Sequence, residues 1–105
     1  MTNTFTELLE AISTKTRLRI IETLLTFDEL TIRKLRDYIK VNWELFKREL
    51  DCLEKLGIVE VKQIGKCKII RLNYRNEKTK LILKLVEKLR EIEDNYLKLT
   101  STSNS

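Results

Sequence analysis

The chain has 105 residues, a length that predicts one domain with a single hydrophobic core. Its 21 Lys and Arg outnumber its 16 Asp and Glu, giving a formal net charge of +5, which favours polyanionic partners without requiring them. With no histidine and only two cysteines, the chain lacks the usual transition-metal ligands and a histidine base, so we expect no enzyme, metal site or cofactor.

No run of about eighteen apolar residues is present, and no charged-then-apolar leader precedes the first predicted helix, so we expect a cytoplasmic protein without a membrane partner. Cys52 and Cys67 lack CxxC spacing. In a reducing compartment they are expected to be buried small hydrophobic residues, with a redox role as the alternative. Few Gly, no Pro and abundant Lys, Glu and Ile are also typical of thermophile proteins.

The first helix is predicted to begin at Thr4, because residues 4–7 have the pattern of a capping box. Its apolar side chains recur at helical spacing, and we expect them to cover the core and also to contribute Phe5 and Leu9 to a dimer seam. Ser13 is predicted to cap a second, buried helix. On that helix Arg17 and other basic residues are expected in solvent.

A third helix is predicted after Thr31, with Leu30 and Thr31 as candidates for a short additional strand. Its outer face carries four basic residues against one acidic residue, a local charge of +3. The basic residues are Arg33, Lys34, Arg36 and Lys40.

The fourth helix has the clearest ends, since Asn42 is a good N-cap and Gly57 supplies a left-handed stop. Phe46, Leu50 and Leu53 form its apolar stripe. The opposite face is polar, as groove recognition requires, but the helix has a local charge of −1, so attraction to phosphate must come from elsewhere. This face consists of Trp43, Glu44, Lys47, Arg48 and Asp51. Trp43 is expected either to contact DNA or to pack on the first helix or a partner.

Beyond Gly57 the hydrophobic period changes to two, which predicts two strands joined by a Gly65-Lys66 turn. The hairpin has a local charge of +3, suited to a wing lying on a phosphate backbone. Its basic residues are Lys62, Lys66, Lys68 and Arg71.

The last predicted helix, residues 76–99, carries apolar residues at alternating spacings of three and four, which indicates a heptad seam. The seam comprises Ile82, Leu85, Leu89, Ile92, Tyr96 and Leu99. Leu81, Val86 and Leu97 widen the apolar stripe, so we expect this helix to pair two chains and also to pack on its own domain. The alternative is that it folds back entirely on its own domain. Residues 100–105 are polar and are expected to be a disordered tail.

Three motifs together resemble ArsR-type and related archaeal winged-helix transcriptional regulators: Ser13–Ile21 (STKTRLRII), Leu50–Val59 (LDCLEKLGIV) and the Gly65-Lys66 wing tip. The resemblance implies DNA binding, and it places Arg17 near the DNA side. Glu49 stands where the family usually has histidine. The helix over residues 32–40 has neither Cys nor His, so the resemblance does not imply metal sensing.

The predicted fold is mostly α with a small β-hairpin, a winged helix-turn-helix of order α-α-α-α-β-β-α, with residues 1–75 binding DNA and 76–99 forming a dimerisation helix. We expect a homodimeric, sequence-specific regulator of double-stranded DNA. The alternatives are an architectural DNA-coating protein, and a protein-interaction module that uses Glu44, Glu49, Asp51 and Glu54. The predicted DNA-binding residues are Arg33, Lys34, Trp43, Glu44, Lys47, Arg48, Asp51, Lys62, Lys66 and Lys68. The predicted dimerisation residues are Phe5, Leu9, Ile82, Leu85, Leu89, Ile92 and Tyr96.

Overall fold

The computed structural model describes residues 3–103, and the side chains of residues 3–99. Within this part of the chain lie five helices and three strands. In chain order they are α1 (Thr4–Ala11), α2 (Lys15–Phe27), β1 (Glu29–Thr31), α3 (Ile32–Ile39), α4 (Trp43–Lys55), β2 (Val59–Ile64), β3 (Cys67–Leu72) and α5 (Glu77–Ser103). The predicted winged helix-turn-helix is confirmed, and none of the described helices is long and apolar enough to cross a membrane.

Helix α4 begins and ends where its sequence predicts. The Asn42 Oδ1 accepts a hydrogen bond from the Leu45 amide at 2.8 Å. At the other end Gly57 has a φ of 81°, and the Ile58 amide donates to the Leu53 carbonyl at 2.9 Å. This is a Schellman motif, in which a residue without a Cβ takes the left-handed position.

The caps of α1 and α2 lie one residue away from the predicted positions. The side chain of Asn3, and not Thr4, accepts the Thr6 amide at 2.8 Å. Thr14 caps α2, because its backbone is extended and its hydroxyl accepts the Arg17 amide at 3.1 Å. The predicted cap Ser13 instead donates its hydroxyl to the Glu10 carbonyl at 2.9 Å, which satisfies the last turn of α1.

The sheet is antiparallel throughout, with strand order β1-β3-β2. Ile64 pairs with Cys67 across the predicted two-residue turn, where Gly65 has a φ of 60°. The expected short strand after α2 is confirmed and also includes Glu29, which pairs with Arg71. This third strand fixes the hairpin to the start of α3.

The core lies between α2, α3, α4, one face of the sheet and the first turns of α5. Ile82 and Val86 of α5 belong to it, with 1% and 3% of their surface exposed. Ile82 is therefore not part of an exposed seam, which corrects one of the predicted dimerisation residues. The reason is helical geometry: Ile82 shares a face with Thr79 and Val86, one turn away on either side, and Thr79 donates its hydroxyl to the Ile58 carbonyl at 3.4 Å.

Every side chain of residues 87–99 of α5 is exposed, although Arg90 Nη2 still lies 3.3 Å from Glu22 Oε2 of α2; beyond that contact α5 projects from the domain. The helix continues to Ser103, so residues 100–103 are helical and not the expected disordered tail; residues 104–105 lie outside the described residues. No glycine or proline interrupts this segment. Extending a formed helix through Ser or Thr costs only a few tenths of a kcal/mol per residue.

Candidate nucleic-acid interface

Helices α3 and α4 form a helix-turn-helix whose turn includes Lys40 in the left-handed conformation, with φ 59° and ψ 43°. The Lys40 amide donates to the Arg36 carbonyl at 2.9 Å, which closes α3. Helix α4 buries Phe46, Leu50 and Leu53 against the core. Its opposite side is consequently turned to solvent.

The structure places all five predicted recognition residues of α4 on this solvent side. Trp43, Glu44 and Arg48 are exposed, whereas Lys47 and Asp51 are half-buried. Lys47 Nζ lies 3.5 Å from Asp51 Oδ1, one helical turn away. Since such a pair exchanges readily with water, Lys47 remains available to an incoming polar group.

Trp43 packs between two side chains at the start of α4. Its ring centroid lies 5.7 Å from that of Phe46, and the guanidinium carbon of Arg36 lies 5.6 Å from the centroid of its ring. Nevertheless 44% of the tryptophan is exposed. The contact joins α3 to α4 by a cation–π interaction and leaves part of the tryptophan in solvent.

The tip of the wing and the N-terminal turn of α3 enclose a basic groove of about 370 Å³. It is lined by Arg33 of α3 and by Lys66 and Lys68 of the wing. Lys34 lines a separate small groove with Glu29 and Ile69. The groove therefore brings Arg33 together with two predicted DNA-binding lysines of the wing that lie more than thirty positions further along the chain.

The base of the wing differs electrostatically from its tip. Arg71 Nε lies 2.8 Å and Arg75 Nη2 lies 2.5 Å from the carboxylate of Glu60. Hydrogen bonds from Arg75 and then Arg71 hold the pKa of Glu60 below its ordinary value. Lys62 lines the adjoining groove with Glu54, away from the other wing lysines. The ion pairs of the wing thus lie at its base, whereas Lys62, Lys66 and Lys68 are exposed and form none with the residues that the structure describes, and two of these three lysines lie at the tip.

Glu49 and Arg17 are not in solvent, contrary to the sequence-based expectation for both. Only 4% of Glu49 is exposed, and its carboxylate forms an ion pair with the Arg17 guanidinium. Glu49 therefore cannot meet a basic partner on the acidic face proposed for the protein-interaction alternative. The signal was present in the sequence, because position 49 has the i, i+3, i+4, i+7 spacing of the apolar stripe of α4.

The two cysteines occupy different surroundings. Both were predicted to be buried, and neither is fully buried. Cys52 of α4 is half-buried, with its Sγ 3.8 Å from Glu10 Oε1. Burial raises the pKa of this thiol, and the neighbouring Glu10 carboxylate adds to the effect while Arg17 opposes it. Cys67 is exposed at the tip of the wing.

A second surface, on α1 and α5, is apolar. Exposed fractions reach 68% for Phe5, 50% for Leu9, 55% for Ile92 and 66% for Tyr96. Leu85 and Leu89 are 40% and 47% exposed. Helix α1 lies against the start of α5, where Lys78 Nζ is 2.5 Å from Glu7 Oε2. All the predicted dimerisation residues except Ile82 are therefore accessible to a partner.

No protein-family model and no curated protein sequence matches the chain. Solved structures do resemble it. HlyU from Vibrio cholerae is 23% identical with a TM-score of 0.70, over 82% of this chain and 90% of that one. The transcriptional repressor BigR from Xylella fastidiosa is 26% identical with a TM-score of 0.66, over 77% of this chain and 81% of that one.

A third similar structure is the homodimeric winged helix-turn-helix DNA-binding domain of Mb0332 from Mycobacterium bovis, described as a possible ArsR-family transcriptional regulator. It is 18% identical with a TM-score of 0.71, over 90% of this chain and 82% of that one. The chain has the winged helix-turn-helix fold of ArsR-type transcriptional regulators.

Proposed function

We propose that the chain is a homodimeric transcriptional regulator that binds specific sites in double-stranded DNA. Helix α4 enters the major groove as the recognition helix, and the wing lies on the backbone or in the minor groove. The observation that carries the proposal is the exposed polar face of α4 beside the basic groove formed by Arg33, Lys66 and Lys68.

The polar face of α4 supports base recognition. Arg48 has 73% of its side chain exposed, and its guanidinium can donate two parallel hydrogen bonds to a guanine edge. Lys47 is its neighbour on the same face. Trp43 and Glu44 lie at the first turn, where a helix entering the groove comes closest to the bases, and Asp51 lies at the groove margin.

The groove between α3 and the wing supports attraction to phosphate. The exposed charged residues of α4 nearly cancel, so affinity for a polyanion has to come from another surface. Arg33, Lys66 and Lys68 supply that charge without an acidic residue among the groove-lining side chains. Phosphate contacts of this kind position a protein on DNA, and base contacts then select the sequence.

The apolar surface of α1 and α5 supports dimerisation. A row of half-exposed Leu, Ile and Tyr side chains along a projecting helix is costly in water and is removed when two helices pair. A two-fold dimer would present two recognition helices to successive major grooves, about 34 Å apart on one face of the duplex. The corresponding site is roughly palindromic.

The proposal is tested with footprinting on DNA from the source genome, beginning with the promoter of the protein's own gene, followed by binding to the protected site and to random duplex. Arg48→Ala is expected to cost about 1–3 kcal/mol on the protected site and to relax selectivity at one base position. Lys84→Ala, which removes an exposed charge from α5, is the matched control and should bind as the unchanged protein does. Equal losses on both DNAs would instead make Arg48 a phosphate contact.

A DNA-coating role is the second candidate, because the basic groove and the nearly neutral recognition helix favour phosphate contacts over base contacts. Competition binding separates the two roles. A specific regulator resists random competitor DNA, whereas a coating protein is displaced by any duplex in proportion to its length.

A further inference from the structure

One guanidinium joins three segments of the chain. Arg17 Nη1 donates to the Glu10 carbonyl at 2.7 Å and to the Ser13 hydroxyl at 3.0 Å. Its Nε pairs with Glu49 of α4. The Thr14 hydroxyl lies 3.5 Å from the same carboxylate oxygen. We refer to these five residues as the Arg17 cluster; it connects the end of α1, the start of α2 and the middle of α4.

Within the cluster the Glu49 side chain is buried, whereas Glu10 and Ser13 are exposed. Glu49 is 4% exposed and the side chain of Arg17 is 15% exposed. A carboxylate with so little contact with water is tolerated only with a charged partner and hydrogen bonds. Two arginines pair with Glu49: Arg17, and Arg48, whose Nε lies 3.8 Å from Glu49 Oε1. Arg48 belongs to α4 itself, so of the two only Arg17 ties the carboxylate, and with it α4, to another helix.

The other contacts of α4 with the core are less directional. Phe46, Leu50 and Leu53 gain from leaving water, and that gain changes little if the helix turns or slides by a small amount. An ion pair with aligned hydrogen bonds depends strongly on angle and distance. The Arg17 cluster is thus the contact best able to fix the rotation of α4 about its axis.

We propose that Arg17 is a positioning residue for DNA recognition, which acts through Glu49 to orient the exposed face of α4. Through the Glu10 carbonyl it also ties the recognition helix to α1, a helix of the proposed dimer surface. The inference rests on the proposed function, since it matters only if α4 contacts bases. It assigns Arg17 a role in discrimination between sequences and none in general attraction to DNA.

Arginine is the residue that this role requires. Its planar fork holds the Glu49 carboxylate, the Glu10 carbonyl and the Ser13 hydroxyl at once. Lysine would keep the positive charge next to Glu49 but would present a single flexible ammonium group. Arg17→Lys therefore removes the orientation while retaining charge compensation for the buried carboxylate.

The test compares Arg17→Lys with Arg75→Lys, which changes another ion-paired arginine, at the base of the wing. Arg17→Lys should remain a folded dimer and bind random duplex with unchanged affinity and salt dependence. Its preference for the protected site over random duplex should fall about tenfold, the equivalent of one misplaced base contact. Arg75→Lys should keep the full preference. Full preference in Arg17→Lys, where the unchanged protein discriminates, would overturn the inference and leave the proposed function intact.

A measurement without DNA tests the positioning separately. Trp43 is the only tryptophan of the chain and stands in the first turn of α4, so its fluorescence reports on that helix. In Arg17→Lys we expect a shifted emission and faster amide hydrogen exchange in α4, with exchange in β3 unchanged. Unaltered emission and exchange would contradict the inference. A lack of sequence preference in the unchanged protein would instead refute the proposed function, and the measurement without DNA would still test the position of α4.

Glu49→Gln is the second variant, for use if Arg17→Lys fails to fold. The amide keeps a hydrogen-bond acceptor for Arg17 and removes the buried charge. The same changes in emission and exchange are expected, in weaker form. Sequence preference is not a readout for this variant, because Glu49 also pairs with Arg48, the proposed base contact. Wild-type emission and exchange would count against the role assigned to Arg17.

Discussion

Lys40 holds the turn of the helix-turn-helix in the left-handed conformation, with φ 59° and ψ 43°. For a residue with a Cβ this conformation costs about 1–2 kcal/mol. Glycine avoids that cost. Its greater conformational freedom in the unfolded chain, however, offsets about 0.5–1 kcal/mol of the resulting gain in stability.

We therefore expect Lys40→Gly to raise the free energy of unfolding by up to about 1.5 kcal/mol, measured by urea denaturation at fixed protein concentration. Lys40→Ala removes the same charge but keeps the strained backbone, so it should bring no gain. A glycine variant less stable than the alanine variant would refute this account of the turn.

The two thiols should differ in reactivity, a second consequence at the residue scale. Burial raises the pKa of Cys52, so at about pH 8 it has less of the reactive thiolate than an ordinary cysteine. Cys67 is exposed at the wing tip. When labelling by a maleimide reagent is followed by mass spectrometry, Cys67 should react first. The Cys52→Ser variant should therefore keep the fast phase of labelling, and the Cys67→Ser variant should lose it. Faster labelling of Cys52 would contradict this expectation and would support a redox role for that residue.

At the scale of the elements, the wing is expected to contribute affinity and not selectivity. Lys66 and Lys68 flank the basic groove, whereas Arg71 and Arg75 at the base are engaged with Glu60. Neutralising both tip lysines to Gln should weaken binding to specific and random DNA alike. The slope of log affinity against log salt should fall by about 0.9 for each phosphate that the wing no longer neutralises.

The stability of the double variant is the control, and its salt slope tests whether the wing contacts DNA. Unfolding of the double variant should occur at nearly the same urea concentration as for the unchanged protein, because both side chains are exposed. An unaltered salt slope would exclude the wing from the interface. The basic surface of α3, with Arg33, Lys34 and Arg36, would then be the remaining place for phosphate contacts.

At the scale of the whole molecule, the projecting half of α5 is expected to hold two chains together. Leu89 and Ile92 are 47% and 55% exposed, so charged substitutions there leave the domain core untouched. Each large apolar side chain buried between chains contributes about 1.5–3 kcal/mol. The variant with Leu89→Glu and Ile92→Glu should therefore be monomeric in analytical ultracentrifugation and bind DNA much more weakly.

Two further variants separate dissociation of the dimer from unfolding of the domain. Lys84→Glu adds the same charge at an exposed polar position of α5 and should stay dimeric. Ile82→Glu places a carboxylate where only 1% of the residue is exposed, so it should unfold the domain itself. A dimeric Leu89→Glu and Ile92→Glu variant would rule out this surface as the seam.

Local chemistry in the sequence determined most of the architecture. Asn42 and Gly57 mark the ends of α4, and Gly65 marks the turn of the wing, because each acts on backbone groups within a few residues of itself. The change of hydrophobic period after Gly57 separates helices from strands for the same reason. These signals predicted the winged helix and the polar face of α4.

Only the tertiary structure decided how distant residues meet. Arg17 and Glu49 are 32 positions apart, and their pairing depends on how α2 packs on α4. Ile82 has the spacing of a dimer seam and also of the core, and its burial is settled by where α5 meets the domain. Hydrophobic periodicity identifies which side of a helix leaves water, but it contains no information about which surface covers it.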